Sequence, residues 1–304
     1  MSFYMDRDAT KVAYLALALG VFCIGTSAIF VKIASVPGTI SAFYRVLFAG
    51  LPLLPLRLSQ RKLALPSWKD LRLIGLGGIA FVGDLVLWNT AVLLTSAAAA
   101  TLLANNSPLW VGLGAILIFR EKLNWKYWLG LLIALIGMTV IVGGNAIQEF
   151  RFNTGDLLAI GASVSYAAYM LITQKARARV DTLTLNLFTM LTCVIILLPI
   201  ILLLGQPMTG FSTRTWMSLV GLGLVPQFIG WLAINYAMGQ LPATQVSVTL
   251  LSQSVITAIL GILFLQEALS PADILGGLMV LSGIYLVNQR TQSRVRDDAY
   301  AKSA

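Results

Sequence analysis

Residues 215–237, TWMSLVGLGLVPQFIGWLAINYA, run for 23 positions without a charged side chain, and residues 71–94, LRLIGLGGIAFVGDLVLWNTAVLL, carry only Arg72 and Asp84. At about 1.5 Å per residue, a helix of roughly 20 residues crosses the ~30 Å hydrocarbon core of a bilayer. Backbone amides find no water in that core, so such a stretch must satisfy its own hydrogen bonds as a helix. Working outward, runs of the same kind recur at 12–34, 39–58, 97–119, 126–143, 155–175, 183–204, 243–265 and 271–288. The expectation is an all-α membrane fold with ten transmembrane helices. Composition agrees: of 304 residues 58% are hydrophobic and 11% charged, too little charge to cover a soluble surface.

The connections between runs fix an orientation. Seventeen of the 21 Lys and Arg residues fall on alternate connections: Arg7 and Lys11; the segment from Arg57 to Arg72; Arg120 to Lys126; Lys175 to Arg179; and Arg290 to Lys302. The intervening loops hold only Arg151 and Arg214, while Lys32 and Arg45 lie inside helices. Positive residues favour the cytoplasmic side, so both termini are expected there and the chain in a bacterial inner membrane. The net charge of +9 is then a topology signal, and no nucleic-acid partner is called for. Trp68, Trp125, Trp128 and Trp216 sit near run ends as expected of interfacial anchors. The first run is longer than a signal peptide's apolar core and is read as a retained helix.

The two quoted runs are also related. At an offset of 146 residues Gly75 pairs with Gly221, Gly77 with Gly223, Asn89 with Asn235, Ala97 with Ala243, Glu121 with Glu267, Leu123 with Leu269, Gly130 with Gly276 and Gly137 with Gly283. Upstream, an offset of 143 pairs Lys32 with Lys175. A period of this length reads as an internal duplication: halves at 12–147 and 152–289, with 290–304 as a cytoplasmic tail. Each half holds five helices. An odd number makes the second half enter the membrane from the opposite side, so the repeats are inverted, an architecture that lets two bundles rock about a midplane site.

Several motifs carry a family resemblance. Gly25-Thr26-Ser27 leading through Lys32 to Arg45, a small-residue fourth helix running to Pro108, the Phe119-Arg120-Glu121-Lys122-Leu123 junction and the Gly130 and Gly137 spacing resemble an EamA repeat of the drug/metabolite transporter superfamily. The pattern is similar to that of the bacterial amino-acid and metabolite exporters within it. The resemblance implies a central cavity built from the first four helices of each half, with Thr26 and Ser27 in its wall, and a peripheral fifth helix in each half. Three positions depart from the pattern: Ile24, Phe188 opposite Arg45, and Ser254 opposite Pro108.

Within the membrane, ionisable residues are costly and mark function by default. Asp84 reads either as a proton or ammonium site or as the structural partner of Arg45, and Arg45 as a candidate for a substrate carboxylate. Lys32 sits near a helix end where its stem can snorkel. Helical spacing puts Phe81, Asp84 and Trp88 on one face of the third helix and Thr101, Asn105 and Pro108 on one face of the fourth. It also aligns Gln227 with Trp231 in the eighth, Thr249 with Gln253 in the ninth, and Tyr166 broadly with Tyr169 in the sixth. Cavity lining and interhelical hydrogen bonding both remain open for each of these. Pro108 and Pro226 interrupt helices and read as hinges or as fixed kinks.

Enzymatic signatures are absent from the sequence. There is no His, no metal-binding cysteine spacing, no HExxH or GxSxG, and no phosphate-binding loop, so neither a cofactor nor ATP hydrolysis is expected. The expectation is a secondary or facilitative exporter of small metabolites, most of all amino acids including aromatic ones, working by alternating access. Small-molecule substrate and membrane lipid are its expected partners. The alternatives are a sugar-phosphate, nucleotide or drug carrier of the same superfamily, or a membrane receptor or scaffold.

Overall fold

The computed structural model describes residues 7–60, 65–95, 97–142, 153–265 and 271–300, with some side chains, among them that of Thr101 and those beyond residue 289, outside the description. The expected half boundary at 147 and Glu267 and Leu269 of the repeat lie outside the described residues. The described residues contain eight helices long and apolar enough to cross a membrane, and two shorter apolar ones at Trp125–Ile141 and Ile274–Gln289. These are the ten helices expected.

The first helix is built from Arg7–Gly25 and Ser27–Ala34; the second is Gly38–Leu58, the third Trp68–Leu94, the fifth Trp125–Val142, the sixth Thr154–Arg177, the seventh Thr182–Leu203 and the tenth Pro271–Tyr300. The fourth is divided into Ala97–Ala104 and Ser107–Phe119, the ninth into Ala243–Leu250 and Gln253–Leu265. The eighth is Thr213–Leu222 and Trp231–Ala237 joined by a π-helical stretch, Gly223–Gly230. Polar caps start several helices where the first N–H groups lack partners. Ser67, Asp181 and Ser212 side chains accept from the backbone N–H of Asp70, Thr184 and Thr215 respectively. Asn153 and Asp156 form a reciprocal capping box at the start of the sixth.

The sequence offset reappears in the backbone. Adding 146 to the two segments of the fourth helix gives the two segments of the ninth, residue for residue, so both helices break at equivalent positions, 105–106 and 251–252. Pro108 accounts for the first break, because it lacks an N–H and favours a helix start. Ser254 stands at the equivalent place in the ninth, so the second break has no proline to cause it. Pro226 widens the eighth helix into π turns rather than ending it.

Packing follows the same pseudo-symmetry. The second helix lies on the seventh, the fifth on the tenth, and the first-on-eighth contact mirrors the third-on-sixth contact. The fifth and tenth helices meet at glycine. A Cβ on Gly130 would lie 2.6 Å from the carbonyl oxygen of Gly283, and one on Gly137 would lie 2.6 Å from that of Gly276. Since Gly276 and Gly283 are the repeat partners of Gly130 and Gly137, each glycine faces the partner of the other. That reciprocity is the mark of a two-fold axis, and between antiparallel helices it places the two halves upside down to one another.

This pair shares a hydrophobic cluster with the ninth helix, in which Tyr127, Leu131, Ala134, Met138, Val280 and Val287 are buried with Val248 and Leu251, apart from the main core. Large apolar side chains such as Leu117 and Leu203, 80% and 87% exposed, cover the outside, where lipid is the solvent. Trp68 and Trp125 are exposed as anchors should be. Trp216 differs: it packs edge-on against Tyr44, Phe48 and Phe211.

The fourth and ninth helices converge at one end only. Ser107–Phe119 packs on Ala243–Leu250, whereas Ala97–Ala104 and Gln253–Leu265 have no comparable contact. The closed end is tied by hydrogen bonds. Gln174 Oε1 accepts from Ala243 N–H at 2.7 Å, and Glu121 accepts from Gln174 Nε2 at 3.5 Å and from the Thr244 hydroxyl at 3.4 Å.

Candidate substrate cavity

Four helices bring charged and aromatic side chains together inside the bundle. The second supplies Arg45, the third Phe81 and Asp84, the sixth Tyr166 and Tyr169, and the eighth Gln227 and Trp231. Arg45 Nε donates to Gln227 Oε1 at 2.7 Å, and Gln227 Nε2 in turn faces Met190 Sδ of the seventh helix at 3.4 Å. Gln227 sits in the π-helical stretch, and Gly223 at its start permits the approach: a Cβ there would lie 3.2 Å from the carbonyl oxygen of Arg45.

Arg45 and Asp84 each feel the other's charge, and Tyr166 feels both. Even so, no ion pair within 4.0 Å joins the two, the Lys11–Asp8 pair being the one of that kind among the described residues. Both side chains keep part of their surface open rather than being sealed in the core. In this conformation the described side chains thus form no direct Arg45–Asp84 salt bridge. The arrangement leaves a cation and an anion separated within the bundle.

The aromatic residues form a wall beside them. The Trp231 indole meets Phe81, Tyr166 and Tyr169 edge-on, with ring centroids 5.2, 5.9 and 5.3 Å away and interplanar angles of 75°, 74° and 73°. Phe81 also lies 4.8 Å from Tyr169, tilted by 39°. Edge-to-face contact suits the ring quadrupoles and fixes the cluster. Trp231 is 3% exposed and its Nε1–H has no hydrogen-bond partner. A buried donor without a partner costs about 1–3 kcal/mol, so its persistence calls for an explanation.

Behind the wall lies a polar network that helical spacing did not single out. Asn235 Nδ2 donates to the Tyr169 hydroxyl at 3.1 Å and to Asn186 Oδ1 at 3.0 Å, all three groups being buried. Asn235 had drawn notice as the repeat partner of Asn89, and a buried intramembrane amide must find partners; that was the available signal for this network.

The other described candidates lie elsewhere. Trp88 is half-buried one turn beyond Asp84. Thr26 and Ser27 lie at the break in the first helix, beside the second segment of the ninth. There the Thr26 hydroxyl donates to the Cys23 carbonyl at 2.6 Å, Thr257 donates to the Gly25 carbonyl at 2.9 Å, and Ser27 Oγ is buried without a partner. Gln253 opens that segment, its carbonyl close to Gly25. Asn105 is in the break of the fourth helix, half-buried, and Pro108 follows it with its carbonyl accepting from the buried Tyr127 hydroxyl at 3.0 Å. Thr249 faces the tenth helix and accepts from Asn288 Nδ2 at 3.2 Å. The breaks explain the divergence: a 3.6-residue period does not carry a face across 105–106 or 251–252.

A family model describes the chain twice: the EamA-like transporter family matches residues 11–143 and 153–289. The chain belongs to that family. This EamA-like transporter is 29% identical over 238 residues, 76% of its own length and 78% of the relative's, to a probable terminal-alkyne amino-acid exporter of Streptantibioticus cattleyicolor. It is 27% identical over 286 residues, 91% and 97% of the two chains, to an uncharacterized transporter of Archaeoglobus fulgidus. An S-adenosylmethionine uptake transporter of Rickettsia prowazekii is 24% identical over 159 residues, 52% and 53% of the two chains. A solved crystal structure superposes with a TM-score of 0.80 at 21% identity, covering 95% of this chain and 99% of the other, which shows the shared fold. The EamA-like transporter is thus an integral membrane protein that moves a small molecule, and not an enzyme.

Proposed function

We propose that this transporter exports amino acids, aromatic ones included, by alternating access, with both termini in the cytoplasm. The observation that carries the reading is the separated pair of Arg45 and Asp84 beside the aromatic wall. A zwitterion offers a carboxylate to the Arg45 guanidinium and an ammonium to Asp84, so each intramembrane charge is neutralised by the cargo and not by the other. The substrate side chain then lies against Tyr166 and the cluster of Phe81, Tyr169 and Trp231 behind it, and the Trp231 N–H, buried without a partner in this conformation, meets a substrate oxygen once the cluster opens to the cargo.

The fourth and ninth helices supply the moving parts. Their matched breaks lie at mid-length, with one end closed through Glu121, Gln174 and Thr244 and the other apart. Reversing which end is closed, by bending at residues 105–106 and 251–252, exposes the same cavity to the opposite side. The name of the Streptantibioticus relative supports an amino-acid cargo.

The test is uptake of labelled amino acids into proteoliposomes, with and without a pH gradient. Saturable, counter-substrate-stimulated flux of phenylalanine or a similar amino acid supports the reading. Flux confined to sugar phosphates or nucleotides, or no flux of any solute, overturns it.

A further inference from the structure

A cavity of about 580 Å³ lies away from the Arg45–Asp84 cluster, in the wedge between the first, ninth and tenth helices. The tenth helix packs in a separate hydrophobic cluster with the fifth and with Val248 and Leu251 of the ninth, away from Arg45 and Asp84. Yet Asn288 is placed in this wedge beside Tyr14 and Thr249. The Tyr14 hydroxyl lies 3.4 Å from both Gln245 Oε1 and Asn288 Oδ1, and Asn288 Nδ2 bonds Thr249 at 3.2 Å.

The wedge has two ends of different character. Tyr14 lies seven positions into a helix that starts at Arg7, Gln245 two positions into one that starts at Ala243, and Asn288 lies where the apolar part of the tenth helix ends. At 1.5 Å per residue these groups sit within about 10 Å of one face of the membrane, at the depth of the interfacial region. Deeper in, the walls turn apolar through Leu17, Val21, Ile256 and Leu281. Tyr285, 67% exposed, stands on the rim, and Leu15 and Leu278 nearby are 71% and 62% exposed. The cavity therefore opens sideways toward lipid.

We propose that this wedge is a binding site for one glycerophospholipid of the adjacent leaflet. An acyl chain fills the apolar depth, and the ester and glycerol oxygens meet Tyr14, Asn288 and Gln289 at the mouth. Hydroxyls and amides without charge suit those neutral groups. The two 3.4 Å contacts of the Tyr14 hydroxyl are long for O–H···O bonds and are readily exchanged for a ligand oxygen. Arg290, Arg294 and Arg296 follow Gln289 in sequence, a basic run that favours an anionic headgroup.

The site has a mechanical setting. Thr249 and Ser252 lie at or before the break in the ninth helix, Val255 and Ile256 after it, and all four line the wedge. A lipid seated there touches both sides of the break, and binds best to the conformation whose wedge is open. By linkage, it stabilises that conformation.

Native mass spectrometry of the full chain in detergent, titrated with phosphatidylglycerol and phosphatidylethanolamine of equal chain length, tests the site. Wild-type protein is expected to retain one lipid per chain through activation that strips the rest, phosphatidylglycerol more strongly. Ala18→Phe, which fills the wedge, is expected to lower that retention at least tenfold, and Asn288→Leu severalfold; Leu15→Phe, on the lipid face, leaves it unchanged. Leu281→Trp fills the same space from the tenth helix and replaces Ala18→Phe if the latter does not yield folded protein. Equal retention by the wild type and either filled variant overturns the proposal, as does a wild type that keeps no lipid beyond its detergent shell. Binding is read without transport, so this result stands or falls apart from the amino-acid reading.

Discussion

Arg45 of the second helix and Gln227 of the eighth are joined across the two halves by a 2.7 Å hydrogen bond, with Arg45 Nε donating to Gln227 Oε1. The bond orients the guanidinium while leaving its terminal nitrogens for another partner. Two substitutions at Gln227 separate orientation from charge. Gln227→Leu removes the acceptor and leaves Nε unsatisfied, at about 1–3 kcal/mol, so KM for an amino-acid substrate is expected to rise roughly five- to hundredfold. Gln227→Glu gives Arg45 a resident carboxylate and is expected to abolish uptake while raising the melting temperature. Initial rates in proteoliposomes and thermal melts in detergent check both.

Trp231 keeps a buried N–H without a partner beside three aromatic rings. Trp231→Phe preserves the aromatic face and deletes the donor. Stability is expected to stay level or rise, because an unsatisfied group is removed, while KM rises roughly two- to tenfold through loss of one neutral hydrogen bond to substrate. A fall in melting temperature with unchanged KM would assign the indole to packing alone.

At the seam of the fifth and tenth helices, carbonyl oxygens already occupy the space a side chain would need. Gly137→Val and Gly130→Val are expected to lose at least about 1–3 kcal/mol through overpacking. Gly75, with open space where its Cβ would be, tolerates alanine. Comparing the three melting curves measures how much of the stability runs through this seam.

The ten helices were legible because bilayer thickness sets run length and loop charge sets alternation; both act residue by residue on sequence. The repeat was legible for the same reason, and its glycines turned out to face one another across the seam. Proline marked the break at 105–106, but the matching break at 251–252 carries Ser254 and left no local sign; the duplication itself was the clue. The same break separates Thr249, which accepts from Asn288 of the tenth helix, from Gln253, so the helical period that aligned the two does not run between them. Arg45, Asp84 and the aromatic residues were found because lone charges and clustered rings stand out in apolar sequence. The Asn186–Asn235–Tyr169 network depends on three helices meeting, which no single-helix period encodes.

Gln174 ties the closed end by accepting from the Ala243 N–H and donating to Glu121. Gln174→Ala leaves that N–H without its acceptor and is expected to favour the opposite conformation by about 1–3 kcal/mol. A cysteine placed at Thr244, in a chain lacking Cys23 and Cys193, is expected to react with a polar maleimide roughly tenfold faster once Gln174 is changed. Equal labelling would mean that the hydrogen bonds do not hold that end shut.

Recognition of a zwitterion by Arg45 and Asp84 is tested most directly by matching each charge on the protein to one on the cargo. Labelled phenylalanine counterflow is measured in competition with phenylalaninamide, which lacks the carboxylate, and with 3-phenylpropionate, which lacks the ammonium. With wild-type protein both analogues are expected to compete at least tenfold more weakly than phenylalanine, a difference of about 1.4 kcal/mol or more. Arg45→Gln is expected to erase the penalty for the amide alone, and Asp84→Asn the penalty for the propionate alone. Wild-type discrimination that survives unchanged in both variants contradicts the assignment.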